Sequence, residues 1–202
     1  INNLDTTLVS AASGGFAAIC AFIATGVMYF KSDITAFSVV FWTAPCFAAS
    51  IAVVSLPWND KIALLAMLCL ASPLFGIPWI LMFSWNTTTC SGYTKKLVRN
   101  AIVMVFYSIA NLISPQLWQE RDGPRYVPAW IVQIVLSFFV APMIALVIYF
   151  ILRKRNIKRR AALEEKSSYS VGFVEEDGVK RAVNKAALDL TDLENEEFIY
   201  PL

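Results

Sequence analysis

The chain has 202 residues, of which 57% are hydrophobic and 16% charged, with a formal charge of +2 and no histidine. Near-balanced charge argues against nucleic-acid binding, and the lack of histidine removes the commonest metal ligand and the usual neutral-pH acid or base. The balance hides a division, because residues 1–152 carry few charges and residues 153–202 carry most of them.

Five apolar runs contain no Asp, Glu, Lys or Arg: Leu8–Phe30, Ile34–Leu56, Ile62–Trp85, Ala101–Trp118 and Val127–Leu152. A bilayer core about 30 Å thick needs about 20 apolar residues of helix. The fourth run is short but its flanks extend it. The predicted fold is therefore an all-α, multi-pass membrane protein. Its spans are expected at about 8–30, 34–56, 62–85, 97–118 and 127–152, with 1–152 as a helical bundle and 153–202 as a charged tail. The start Ile1-Asn2-Asn3 has neither an initiator Met nor a basic leader, so the chain is expected to begin inside a longer protein.

The first span is rich in small residues, among them Ala11, Ala12, Gly14, Gly15, Ala17 and Ala18, and so expects helix neighbours. The second ends at Leu56-Pro57-Trp58, an interfacial exit. The third carries Pro73, Gly76 and Pro78. Pro73 and Pro78 cannot donate to the carbonyls of Cys69 and Leu74, which predicts a bend. A polar loop, Asn86 to Lys96, leads to the fourth span. There Tyr107, Asn111 and Ser114 fall at i, i+4 and i+7, joined by Ser108, with Gln116 beyond. Polar groups avoid hydrocarbon, so Asn111 is expected to face the bundle interior, as a path lining or as an interhelical hydrogen bond. Arg99 and Arg125 lie at membrane edges as anchors.

Cys20, Cys46 and Cys69 sit mid-span as small packing residues. Cys90 lies in the polar loop, the one exposed nucleophile type, with no base beside it in sequence. No metal-ligand spacing occurs, and no cofactor is expected. Lys31, Lys95, Lys96, Arg99 and the cluster from Arg153 to Arg160 fall on one side by alternation; Lys61, Arg121 and Arg125 fall on the other. The basic excess marks the first side as cytoplasmic, the tail included. The tail itself reads as a basic membrane-edge cluster followed by a flexible acidic segment, with Ser167, Ser168 and Tyr169 in a solvated linker.

The stretch Trp85-Asn86 … Gly92-Tyr93-Thr94-Lys95-Lys96, then Asn100-Ala101, Tyr107, Asn111 and Pro115-Gln116, resembles the fungal anion:cation symporters of the major facilitator superfamily. So does Pro124-Arg125-Tyr126-Val127-Pro128 before the last span. The tail Asp189-Leu190-Thr191-Asp192-Leu193-Glu194-Asn195 … Phe198-Ile199-Tyr200 is similar to that family's C-terminal signature. The resemblance covers the whole chain and implies the second half of a twelve-helix fold, spans eight to twelve. It departs from the family at Tyr93, where a His is usual, and at Ala110 and Ser114, where glycines are usual.

What the resemblance implies is part of a proton-coupled transporter for a small organic anion such as allantoate, nicotinate or pantothenate. Tyr107, Ser108, Asn111, Ser114 and Gln116 are then the candidate path residues. The partners implied are the bilayer (the plasma membrane), a carboxylate-bearing substrate and the first half of the same transporter. The spans hold no acid, so a proton-coupling carboxylate would lie in that first half. A five-span structural or adaptor protein, or a truncated non-transporting product, is the alternative. An enzyme is not expected, because acid/base and metal chemistry have no candidate groups.

Overall fold

The computed structural model describes residues 3–165, 171–176, 179–184, 189–195 and 197–202. Helix α1 covers Asn3–Phe30 and α2 covers Thr35–Ser55. The third stretch is two helices, α3 (Lys61–Leu74) and α4 (Gly76–Thr88). Helix α5 covers Tyr93–Leu117. The last stretch is α6 (Val127–Gln133), a π-helical segment Ile134–Val140, and α7 (Ala141–Glu165). Five helical stretches are long and apolar enough to cross a membrane. Beyond α7, strands β1 (Val171–Glu176) and β2 (Val179–Asn184) form an antiparallel hairpin. Ser167, Ser168 and Tyr169 lie outside the described residues.

Helix α2 is the hub, packed on α3, α4, α7 and the π segment. Its buried positions include Ala36, Val39, Thr43, Cys46, Ala49 and Ser50, a stripe of small side chains that admits close neighbours. The hydroxyls in it close on their own helix, Thr43 on the carbonyl of Val39 at 2.7 Å and Ser50 on that of Cys46 at 2.7 Å. Helix α1 turns Cys20 and Ala24 inward. Its Gly14 and Gly15 meet open space instead of a neighbouring helix. These two glycines are thus uncovered within this chain, while α1 has the expected helix neighbours in α3 and α4.

The third stretch breaks at Phe75, between the two prolines. Phe75 keeps a right-handed helical backbone (φ −63°, ψ −25°), so the break is a loss of ladder bonds and not a reversal of the chain. Pro78 has no N–H for the carbonyl of Leu74. The last stretch has a matching irregularity. Pro142 has no N–H for the carbonyl of Phe138, and the preceding turns widen, with Ala141 N–H reaching Leu136. The two irregular places meet, as the rings of Phe75 and Phe138 pack edge to face at 5.3 Å.

Chain alternation puts the end of α1, the start of α2, the end of α4, the start of α5 and the end of α7 on one side, here the tail side. On the opposite side Arg125 does more than anchor. Its guanidinium donates to the carbonyls of Val54, at 3.5 Å, and Leu56 at the end of α2, and lies over the Trp58 ring at 5.7 Å. A cation is well placed on the last carbonyls of a helix.

Candidate functional site

Helix α4 touches both α1 and α5. Between α1 and α4 lies a recess of about 330 Å³, lined by Thr25, Met28, Ile80, Ser84 and Thr88 and closed on the tail side by Pro201. Helix α5 attaches through few groups. Asn86 Nδ2 donates to Asn100 Oδ1 at 3.1 Å, Arg99 donates to the carbonyl of Thr89 at 3.3 Å, and Tyr107 stacks on Trp79 at 5.3 Å. No residue of α5 is buried among the described residues.

All five predicted path residues are therefore exposed. Ser108 Oγ donates to the carbonyl of Met104 at 2.9 Å, and Asn111 Nδ2 to that of Tyr107 at 2.8 Å. The carbonyl of Gln116 accepts from Gln119 at 3.3 Å, and Ser114 is exposed on the same helix. Within this chain Asn111 is exposed. Its amide meets its own helix four residues back, so no partner helix is needed to satisfy that N–H. Tyr107 alone reaches across to another helix.

The tail-side end is the most elaborated part of the molecule, and the expectation of a flexible acidic segment is corrected there for residues 189–195 and 197–202. Helix α7 turns Ala145, Tyr149, Leu152, Asn156 and Arg159 inward, one stripe that begins apolar and ends polar. The tail covers the polar end of it. Asn156, buried, donates to the carbonyl of Tyr200 at 2.7 Å and accepts from its N–H at 2.9 Å. Arg159 donates to the carbonyls of Phe198 and Asp192, with its charge 4.7 Å from the Tyr200 ring. Trp85 Nε1 donates to the carbonyl of Pro201 at 3.0 Å, and Thr35 N–H to that of Leu202 at 3.1 Å.

The acidic half of the segment reaches α5. Gly92, at φ +88°, precedes the helix with no side chain to cap it, and a Cβ there would sit 3.2 Å from the carbonyl oxygen of Leu190. Asp189 supplies the cap from the tail. It accepts from the N–H of Tyr93, the N–H of Thr94 at 3.2 Å and the Thr94 hydroxyl at 2.6 Å. These bonds, the hydroxyl's first, hold its carboxyl below its ordinary value. Asp192 is buried, pairs with Lys95 and accepts from the Tyr200 hydroxyl at 2.8 Å. Burial works to raise its pKa, but Lys95 and Tyr200 outweigh it and the net direction is down. Thr191 donates both N–H and hydroxyl to Glu194 at 2.9 Å, which closes the intervening turn and lowers the Glu194 pKa.

Cys90, expected to be exposed, is buried beneath this segment. The sequence reading missed Asn156, Arg159, Asp189, Asp192 and Tyr200 as a set. Two signals were present: the helical phase that carries Asn156 and Arg159 on from Leu152, and the Thr-x-x-Glu spacing at Thr191 and Glu194. No group of metal-ligating side chains occurs among the described residues.

No family model matches the chain, and no solved structure matches it. It is 48% identical over 214 residues to the high affinity cysteine transporter of Saccharomyces cerevisiae, covering all of this chain and 40% of that protein. It is 46% identical to an uncharacterised transporter of Schizosaccharomyces pombe, covering all of this chain and 37% of the relative. The allantoate permease of S. cerevisiae is 32% identical over 126 residues, 62% of this chain and 21% of the permease. The chain is thus an integral, multi-pass membrane protein related to fungal transporters, and it spans about two-fifths of the length of the first two relatives.

Proposed function

We propose that this chain forms part of a secondary transporter for a small carboxylate-bearing solute, in the manner of the second half of a major facilitator protein. The observation that carries it is the similarity to the cysteine transporter along the entire chain, tail included. Cysteine is the first substrate to test, because it carries the carboxylate that the wider resemblance implies. The solute path runs over the side of the unit formed by α1, α4 and α5. Tyr107, Ser108, Asn111, Ser114 and Gln116 lie exposed on α5, and Thr25, Ser84 and Thr88 line the adjacent recess. That surface is available to the part of the relatives' length that this chain does not cover, which brings the other face of a midplane site. Proton coupling rests on groups outside this chain, since its spans hold no acid. The tail side is cytoplasmic, by its basic excess, and the membrane is the plasma membrane.

The test is uptake of labelled cysteine, allantoate, nicotinate and pantothenate by the full-length protein in cells lacking their own permeases. Saturable uptake of at least one, reduced by a protonophore, is expected. Absence of saturable uptake across small carboxylates overturns the proposal in favour of a structural or adaptor role. Residues 1–202 alone are expected to transport nothing.

A further inference from the structure

We propose that residues 189–202 are a clasp: a peptide ligand carried by the chain itself, docked in a site built from the tail-side ends of α2, α4, α5 and α7, whose closure fixes where α5 begins. It goes beyond transport and does not depend on it.

The docking site is built for a peptide. The carboxamide of Asn156 pairs with the N–H and the carbonyl of Tyr200, as a neighbouring strand would. Arg159 holds two further carbonyls of the same segment and covers the Tyr200 ring. Trp85, itself buried, presents its only side-chain donor to the carbonyl of Pro201. Tyr200 enters the core formed by Trp85, Tyr149 and Leu152. The ligand chemistry is correspondingly specific: two carboxylates three residues apart, then an aromatic residue followed by proline.

The dependence of α5 on this ligand follows from what else holds the helix. None of its residues is buried, and its links to α4 and the α4–α5 turn are a pair of side-chain amides, one arginine contact and one ring stack. Its first turn has orphan N–H groups that Gly92 cannot satisfy. Asp189 satisfies those of Tyr93 and Thr94, and Asp192 ties Lys95 to the end of α7 through Tyr200 and Arg159. The clasp therefore couples the start of α5 to α7, two elements with no other tie of this kind among the described residues.

Hydrogen exchange on the full-length protein in lipid nanodiscs tests the coupling. The wild type is expected to protect both 189–202 and 93–98. Tyr200→Ala removes the buried ring, whose hydroxyl reaches α5 only through Asp192. Thr94→Glu replaces an exposed donor to Asp189 with a second carboxylate and leaves the core untouched. Each is expected to speed exchange at least tenfold in both segments together, with residues 45–50 of α2 unchanged; Thr94→Ser, which keeps the donor, should match the wild type. If Tyr200→Ala loosens the whole bundle, Thr94→Glu decides. Rapid exchange of 189–202 in the wild type, or a freed tail with 93–98 still protected, overturns the proposal.

Discussion

Asn156 and Tyr200 face each other as a reciprocal pair, side-chain amide against main chain, with bonds of 2.7 and 2.9 Å. Both residues are buried, so neither group of Tyr200 has water as a substitute partner. Asn156→Ala leaves a buried N–H and a buried carbonyl unpaired, at about 1–3 kcal/mol each. A destabilisation of about 2–6 kcal/mol is expected, read as a lower midpoint of thermal unfolding in detergent. Limited proteolysis should cut the variant between residues 189 and 202 well before the wild type.

The clasp should tolerate mild acid and fail in strong acid. Asp189 and Asp192 both lie below their ordinary value of 3.8 in the folded chain, and Glu194 below 4.5. A depressed carboxyl contributes stability that is complete above the ordinary value and is lost as pH falls through the lower folded one. Asp189 and Glu194 are open to solvent, so buried Asp192 should carry most of the effect. Tail protection by hydrogen exchange should be flat from neutral pH to about 5 and fall below about 4. Asp192→Asn should weaken docking at neutral pH and flatten the acid limb.

What the sequence revealed and what it concealed have separate physical causes. Spans are written in composition, because hydrocarbon demands about 20 apolar residues wherever a helix crosses it. The break at Phe75 was legible because proline acts locally, on a carbonyl four residues away. The docking of Tyr200 on Asn156 spans 44 residues and leaves no local pattern beyond the helical phase of Asn156. Asn111 is ambiguous in sequence for a related reason. Polarity in a span signals that a partner is needed, but a carboxamide can find it in its own helix, as the 2.8 Å bond to Tyr107 does.

Arg125 should prove a helix cap more than a membrane anchor. Arg125→Gln removes the charge from the end of α2 and the contact with Trp58. A loss of about 1–3 kcal/mol is expected, the worth of hydrogen bonds from a charged donor. Arg125→Lys keeps the charge but not the fork that reaches two carbonyls, so it should fall between. An anchor role alone would leave Lys equal to Arg in the same unfolding measurement.

The stripe on α5 separates stability from function. Asn111 is exposed and bonded only within its helix, so Asn111→Leu should change unfolding stability by no more than about 0.5 kcal/mol. Tyr107→Phe keeps the ring stacked on Trp79 and loses only the hydroxyl. Both are expected to lower uptake by the full-length protein at unchanged abundance in the membrane. Wild-type uptake in both variants would remove α5 from the solute path.

Membrane orientation can be read from one sequon, Asn86-Thr87-Thr88, at the tail-side end of α4. Glycosylation acts on Asn-x-Ser/Thr in the lumenal compartment, so a cytoplasmic Asn86 stays bare. In the orientation proposed from the basic excess beside it, Lys95, Lys96 and Arg99, it lies on the cytoplasmic side. The structure adds a second barrier, since Asn86 Nδ2, the atom that would be modified, donates to Asn100 at 3.1 Å. The measurement is gel mobility of the full-length protein before and after glycosidase. Thr88→Ala is a better control than a change at Asn86, because Thr88 bonds only to carbonyls of its own helix and the Asn86–Asn100 link survives. To separate the two barriers, Asn100→Ala frees the Asn86 amide. No shift in either the wild type or Asn100→Ala is expected. A shift that appears in Asn100→Ala and vanishes with Thr88→Ala would put the tail side in the lumen, and the orientation argued from charge would be reversed.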